Sequence, residues 1–191
     1  MAPKFNLRAH SVASSPKFLQ ETLLESGQSD QFVAKLLNLL EKSLKEPSQQ
    51  KITFAILRSD YMIHQSGETN RLQQVELNHI SCSFSSLSSI VSKMHFFVIE
   101  KLKLNEYDVN RMPNNTSSVA VPDSISKAWQ LYGNKASCVL FVVQCGERNR
   151  FDQRHIEYQL SRTHGITVLR KTLSEIFHQA KLFGDKNELV M

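Results

Sequence analysis

The sequence predicts an α/β fold, a mixed sheet with flanking helices followed by a small β-α-β unit, and three observations carry that prediction. Apolar residues recur at three-to-four spacing in two stretches, 18–44 and 84–98, as core-facing helices require. Between them RLQQVELNHI, from Arg71 to Ile80, alternates polar and apolar residues, the period-two pattern of a half-buried strand. Further on, CVLFVVQ (138–144) and ITVL (166–169) flank another helical stripe, a strand–helix–strand succession that suits a parallel pair with a crossover.

Taken in order, Ser15 followed by Pro16 reads as an N-cap with proline at the first helical position, and Phe18, Leu19, Leu23 and Leu24 form a stripe closed by Gly27. A second helix starts near Ser29 or Asp30, carries Phe32, Val33, Leu36, Leu37, Leu40 and Leu44, and stops at Pro47. Both are expected to be packing elements. KITFAIL, from Lys51 to Leu57, is β-branched and apolar and predicts a strand, joined through the turn-rich HQSGETN to the strand 71–80. In that second strand Val75 and Leu77 share one face while Gln74, Glu76 and Asn78 share the other. Phe84, Leu87, Ile90, Val91, Met94, Phe97 and Val98 then mark a helix to about Leu104. Ser81 and Ser83 stand at its N-terminus, where unpaired N–H groups and the helix dipole suit an anion.

NRMPNNTSSVAVP, from Asn110 to Pro122, has turn formers and no periodicity, so it is the candidate boundary between a unit 1–120 and a unit 121–191. Asp123 is expected to cap a short helix with Ile125, Ala128, Trp129 and Leu131 that ends at Gly133. The following β-α-β unit is Rossmann-like, with Phe151, Ile156 and Leu160 facing inward and Gly165 closing its helix. Crevices at the carboxyl ends of parallel strands bind ligands, and Glu147, Arg148 and Asn149 lie at such an end. Arg150 and Arg154, one turn apart, add positive charge there.

Composition narrows the function classes. Over 191 residues, 41% are hydrophobic and 21% charged, with six Gly and five Pro, which excludes disordered, collagen-like and coiled-coil chains. The net charge of +5 comes from dispersed Lys and Arg without interleaved aromatics, so no nucleic-acid partner is expected. No apolar run approaches the ~20 residues of a membrane span, and a soluble chain without a membrane partner is expected. Cys82, Cys138 and Cys145 show no CxxC spacing, indicating neither a disulfide framework nor a zinc knuckle and fitting a reducing, cytoplasmic setting. The residues before Glu21 are free of acid and include Lys4, Arg8 and Lys17, a composition shared with transit peptides.

Four motifs then coincide in one order: RSDYM (58–62), QVELNHISCSF (74–84), ISKAWQLYG (125–133) and ERNRFDQR (147–154). Together they resemble the eukaryotic glutathione synthetases, from about Phe5 onward. The resemblance implies an ATP-grasp architecture, incomplete in these 191 residues, and a ligase that joins glycine to γ-glutamylcysteine through an acyl phosphate formed with ATP. It implies that Glu76 and Asn78 hold Mg²⁺, Glu76 also contacting ATP. It further implies that Arg58 grips the dipeptide, that Ile80, Ser81, Cys82 and Ser83 form a loop holding it, and that Glu147, Arg148, Asn149 and Gln153 form a second substrate-contacting segment. A cytoplasmic homodimer follows from the same resemblance.

Departures from the family pattern are Ser85 and Ser86, where glycines are usual, and Arg150, at a position usually apolar. No glycine-rich phosphate loop occurs in the sequence. The expectation is therefore an N-terminal and central fragment, inactive as an isolated chain; the alternative is a stand-alone module that binds γ-glutamylcysteine or glutathione without ligating. Cys82 is expected to fill a loop rather than act as a nucleophile, Cys138 and Cys145 to behave as small hydrophobes beside a buried strand, and Trp129 and Phe97 to be core residues.

Overall fold

A computed structural model of the chain describes residues 2–46, 50, 52–104, 106–185 and 187–191. Its elements are helices α1 (Ala2–Ala13), α2 (Pro16–Ser29) and α3 (Gln31–Lys45), strands β1 (Arg58–Ser66) and β2 (Thr69–Asn78), helices α4 (Leu87–Leu102) and α5 (Ser117–Tyr132), strand β3 (Val139–Val142), helix α6 (Arg150–His164), strand β4 (Val168–Lys171), helix α7 (Leu173–Gln179) and strands β5 (Lys181–Phe183) and β6 (Glu188–Val190). They divide into two compact units, one of residues 1–51 with 59–77 and one of 52–58 with 78–191. Among the described residues this is a mixed α/β chain with three two-stranded sheets and flanking helices. No helix among the described residues is long and apolar enough to cross a membrane.

In the first unit, α2 packs against α1 and α3. Asp30 caps α3, its Oδ1 accepting the N–H groups of Phe32 at 2.7 Å and Val33 at 3.2 Å, the reason the chain can turn from one helix into the next. α2 runs through Gly27 rather than ending there. A Cβ at Gly27 would meet Leu37 Cδ1 at 3.0 Å, so the missing side chain lets α3 approach. No residue of α2 or α3 is buried, and Phe18, Leu24, Phe32, Leu36 and Leu44 of their stripes are exposed. Pro47, expected to stop α3, lies outside the described residues.

The strand expected over 51–57 is not formed. Ile52–Leu57 lack regular structure, Lys51 lies outside the described residues, and the first strand begins at Arg58. The cause is the connection: only Gly67 and Glu68 separate β1 from β2, a two-residue turn that joins antiparallel strands. Gly67 takes φ +59 there, with open space where a Cβ would sit. A turn this tight draws Tyr61–Ser66 into β1, which spans Arg58–Ser66 beside the ten-residue β2.

In the second unit, β3 and β4 pair in parallel, Val139 opposite Val168 through Val142 opposite Lys171, with α6 as the crossover. Ile156, Leu160 and Ile166 are buried, and Val121, Ile125, Trp129, Val139, Phe141 and Val168 pack against them. Gly165, at φ +65, ends α6 and lets the Ile166 N–H reach back to the Leu160 carbonyl at 3.1 Å. Trp129 belongs to this core and donates its indole N–H to Ser137 O at 3.1 Å.

Other expectations for this unit change. Phe97 and Phe151 are 58% and 71% exposed: the core takes no residue of α4, and from α6 it takes Ile156 and Leu160 rather than Phe151; Lys101 Nζ stands 5.2 Å from the Phe97 ring centroid. Cys138 and Cys145 are exposed, since β3 is only half-covered and both lie outside it. α5 begins at Ser117, six residues ahead of the expected cap at Asp123. Its first turn is held from outside: the Ser118 N–H donates to Ser89 Oγ and the Ser117 N–H to Asn115 Oδ1, each at 3.1 Å. Pro122 therefore sits buried inside the helix, and Asp123 instead meets His164 Nε2 at 2.9 Å. Helices α1 and α7 and the antiparallel β5–β6 pair have no counterpart in the sequence expectations.

Candidate functional site

The site grows from the segment between β2 and α4. Ser81 and Phe84 have φ of +51° and +69°, a left-handed backbone that non-glycine residues rarely adopt. Such a conformation persists only where surroundings enforce it. At Phe84 the enforcing group is Asp152, in the first turn of α6 and 2% exposed. Its Oδ2 accepts the Phe84 N–H at 2.8 Å, and its Oδ1 accepts the N–H groups of Ser86 at 2.8 Å and Leu87 at 2.9 Å. Asn149 Nδ2 donates to Oδ2 as well, at 3.2 Å.

The anion expected at the start of α4 is thus part of the chain itself. The helix begins at Leu87, with Ser86 as its N-cap, so Ser81 and Ser83 lie in the preceding loop and not at the helix terminus. The difference arises because Asp152 takes up the unpaired N–H groups of the helix start. The hydroxyls of Ser85 and Ser86 are buried without a hydrogen-bond partner among the described residues.

Arg58 and Ser83 come together, Arg58 Nη1 donating to Ser83 Oγ at 3.4 Å. Cys82 Sγ lies 3.3 Å from Ile56 O and 3.2 Å from Asn78 O, the posture of a thiol that ties a loop. Ile80 is 86% exposed. On the second segment, the Asn149 N–H donates to Glu147 Oε1 at 2.8 Å. That bond, with the Gln153 side chain next, holds the Glu147 carboxyl below its ordinary range. Arg148 is exposed.

Gln153 is fixed from behind. Arg170, in β4, donates through Nη2 to Gln153 Oε1 at 2.7 Å and through Nη1 to Glu157 Oε1. Arg154 Nη1 takes the other oxygen of Glu157 at 2.7 Å. Arg154, expected with Arg150 to add positive charge at the crevice, is engaged with a buried carboxylate on its own helix.

Glu76 and Asn78 both lie in β2, two positions apart, so strand alternation assigns them one face. Among the described residues no three His, Cys, Asp or Glu side chains gather as a metal centre. A carboxylate and an amide oxygen are nonetheless the hard donors Mg²⁺ accepts, since it keeps several waters and takes one or two protein ligands beside phosphates.

Asp152 and Arg170 escape the sequence reading. Asp152 stands inside the motif ERNRFDQR, in the first turn of a helix, where acidic residues often face backbone N–H groups. Arg170 stands near the carboxyl end of a parallel strand, where ligand crevices form. Neither position reveals its partner.

The chain matches the sequence profile "Eukaryotic glutathione synthase, ATP binding domain" over residues 1–186. It is 42% identical over 196 aligned residues to a glutathione synthetase of Dictyostelium discoideum, covering 100% of this chain and 41% of that protein. It is 36% identical to a chloroplastic glutathione synthetase of Arabidopsis thaliana, covering 100% of this chain and 35% of that one. The human glutathione synthetase is 35% identical, over 97% of this chain and 39% of its own. The chain thus spans about two fifths of the length of these relatives. Its fold is similar to that of a glutathione synthetase-like effector from Globodera pallida, solved in apo form, with a TM-score of 0.62 and 22% identity over 71% of this chain and 33% of that one.

Proposed function

The chain belongs to the eukaryotic glutathione synthases, and from that premise we propose that it serves the ATP- and Mg²⁺-dependent joining of glycine to γ-glutamylcysteine. In this reaction ATP phosphorylates the cysteinyl carboxylate, and the glycine amine displaces phosphate from the acyl phosphate. The described residues serve the dipeptide. One observation carries this: a guanidinium, Arg58, beside the Ser83 hydroxyl on one segment, and on another a carboxylate, Glu147, held ionised by the Asn149 N–H and Gln153.

γ-Glutamylcysteine carries two carboxylates and one ammonium group. A planar guanidinium matches a carboxylate, and an ionised Glu147 matches the ammonium. Ile80, Ser81, Cys82 and Ser83 line the first segment, and Arg148, Asn149 and Gln153 complete the second. Glu76 and Asn78 are the residues that would hold Mg²⁺, with Glu76 facing the nucleotide; bound there, the ion neutralises phosphate charge. In functional terms residues 1–120 supply the metal pair and substrate loop, and residues 121–191 the β-α-β contribution. The working enzyme is a cytoplasmic homodimer. No glycine-rich phosphate loop occurs in the 191 residues, so these residues alone bind the dipeptide without ligating it, which also covers a binding role without catalysis.

Titration calorimetry tests this. The purified chain should bind γ-glutamylcysteine, and Arg58→Ala should weaken binding by about 2 kcal/mol, the low end for a partly desolvated charge pair. Incubation with ATP, Mg²⁺ and glycine should yield no glutathione. An unchanged affinity in Arg58→Ala removes Arg58 from the site, and glutathione formation would end the division between binding and ligation.

A further inference from the structure

We propose that Asp152 is the positioning residue of this site, a buried carboxylate that locks the 81–87 loop to the 147–153 segment so that both substrate-contacting stretches act as one rigid body. The proposal rests on the dipeptide reading given above. Two features of the site lead to it. The loop backbone is left-handed at Ser81 and Phe84, which its own sequence does not favour, and its three inward N–H groups at Phe84, Ser86 and Leu87 all end on one carboxylate more than sixty residues away.

The fourth contact makes the link two-sided. Asn149 Nδ2 reaches the same carboxylate at 3.2 Å, while the Asn149 N–H is spent on Glu147. The loop, Asp152, Asn149 and Glu147 thus form one chain of hydrogen bonds, with Gln153 the next residue along α6. Asp152 has its oxygens filled by backbone and amide donors, so it touches no substrate; its effect passes through Ser83 on one side and Asn149 and Glu147 on the other. Charge matters as well as geometry. An asparagine of the same size offers one acceptor in place of two and turns an NH₂ donor toward an N–H donor, which breaks at least one of the three backbone bonds.

The test is amide hydrogen exchange by NMR on the full 191-residue chain without ligand, beside calorimetry with γ-glutamylcysteine. In the wild-type chain the amides of Phe84, Ser86 and Leu87 should be protected to the level of the α6 amides. Asp152→Asn should speed their exchange roughly ten- to hundredfold, move the 147–153 resonances, leave Trp129 emission unchanged and weaken dipeptide affinity by about tenfold or more. Arg58→Ala should weaken affinity without touching these amides.

Fast exchange of the three amides in the wild-type chain overturns the proposal, even if Asp152→Asn does not fold. So does an Asp152→Asn chain that loses amide protection yet binds the dipeptide as before, because the carboxylate would then support only the fold. Protected amides in a wild-type chain that binds no γ-glutamylcysteine overturn instead the substrate reading on which the proposal rests.

Discussion

Replacing Arg170 by methionine isolates the ion pair behind Gln153. The Glu157 side chain is 7% exposed and holds two arginines, Arg170 at 15% exposure and Arg154 at 50%. Breaking a buried pair from one side leaves an uncompensated charge, which costs about 3–5 kcal/mol. Arg154 remains on the other oxygen, so Arg170→Met should fall near the low end, about 3 kcal/mol. Arg154→Ala removes a solvated partner and should cost no more than about 1 kcal/mol. Converting Glu157 to leucine as well as Arg170 to methionine removes both charges and should recover most of the loss, to within about 1 kcal/mol of the wild type. Equilibrium urea denaturation followed by Trp129 fluorescence reads all three, because Trp129 packs on the core to which α6 contributes Ile156 and Leu160. Equal costs for the two arginine variants, or a double variant no more stable than Arg170→Met, would refute the assignment of the buried charge.

Two further outcomes are expected. Glu147 titrates below the ordinary glutamate value because the Asn149 N–H and the Gln153 side chain stabilise its charged form; its contribution to folding is therefore complete above the unfolded value and fades as pH falls through the folded one. Wild-type and Glu147→Gln urea midpoints should differ above about pH 5 and converge in acid, and a gap that widens toward low pH would contradict this. Ser86→Ala should stabilise the chain by about 1 kcal/mol in the same assay, since it deletes a buried hydroxyl without a partner among the described residues while keeping the backbone N–H that Asp152 accepts; a loss of stability would mean that the hydroxyl is satisfied in solution.

What the sequence made legible were elements whose signals are local. Asp30 announced α3, the alternation of 71–80 announced β2, and the stripe of Ile156 and Leu160 ending at Gly165 announced α6 between two parallel strands. Distance in sequence defeated the rest. Pro122 and Asp123 read as a helix start, yet the true start at Ser117 depends on Ser89 and Asn115, neither in the helix. The β-branched run 52–57 read as a strand, yet a two-residue turn decides where β1 begins. At the site, the segments carrying Arg58, Ser83, Glu147 and Gln153 were recognisable as motifs. Asp152, which joins two of those segments, was not: its partners are backbone amides, which no residue identity records.

The three thiols give the site a chemical clock. Cys138 stands exposed just ahead of β3 and Cys145 in the turn beyond it, while Cys82 is half-buried with its sulfur between the carbonyls of Ile56 and Asn78. A maleimide therefore has two quick targets and one slow one. The slow rate reports how often the segment around Ser83 releases its thiol, so one alkylation time course, read by mass, follows the breathing of the loop in the unmodified chain, with no label to introduce and no residue to change.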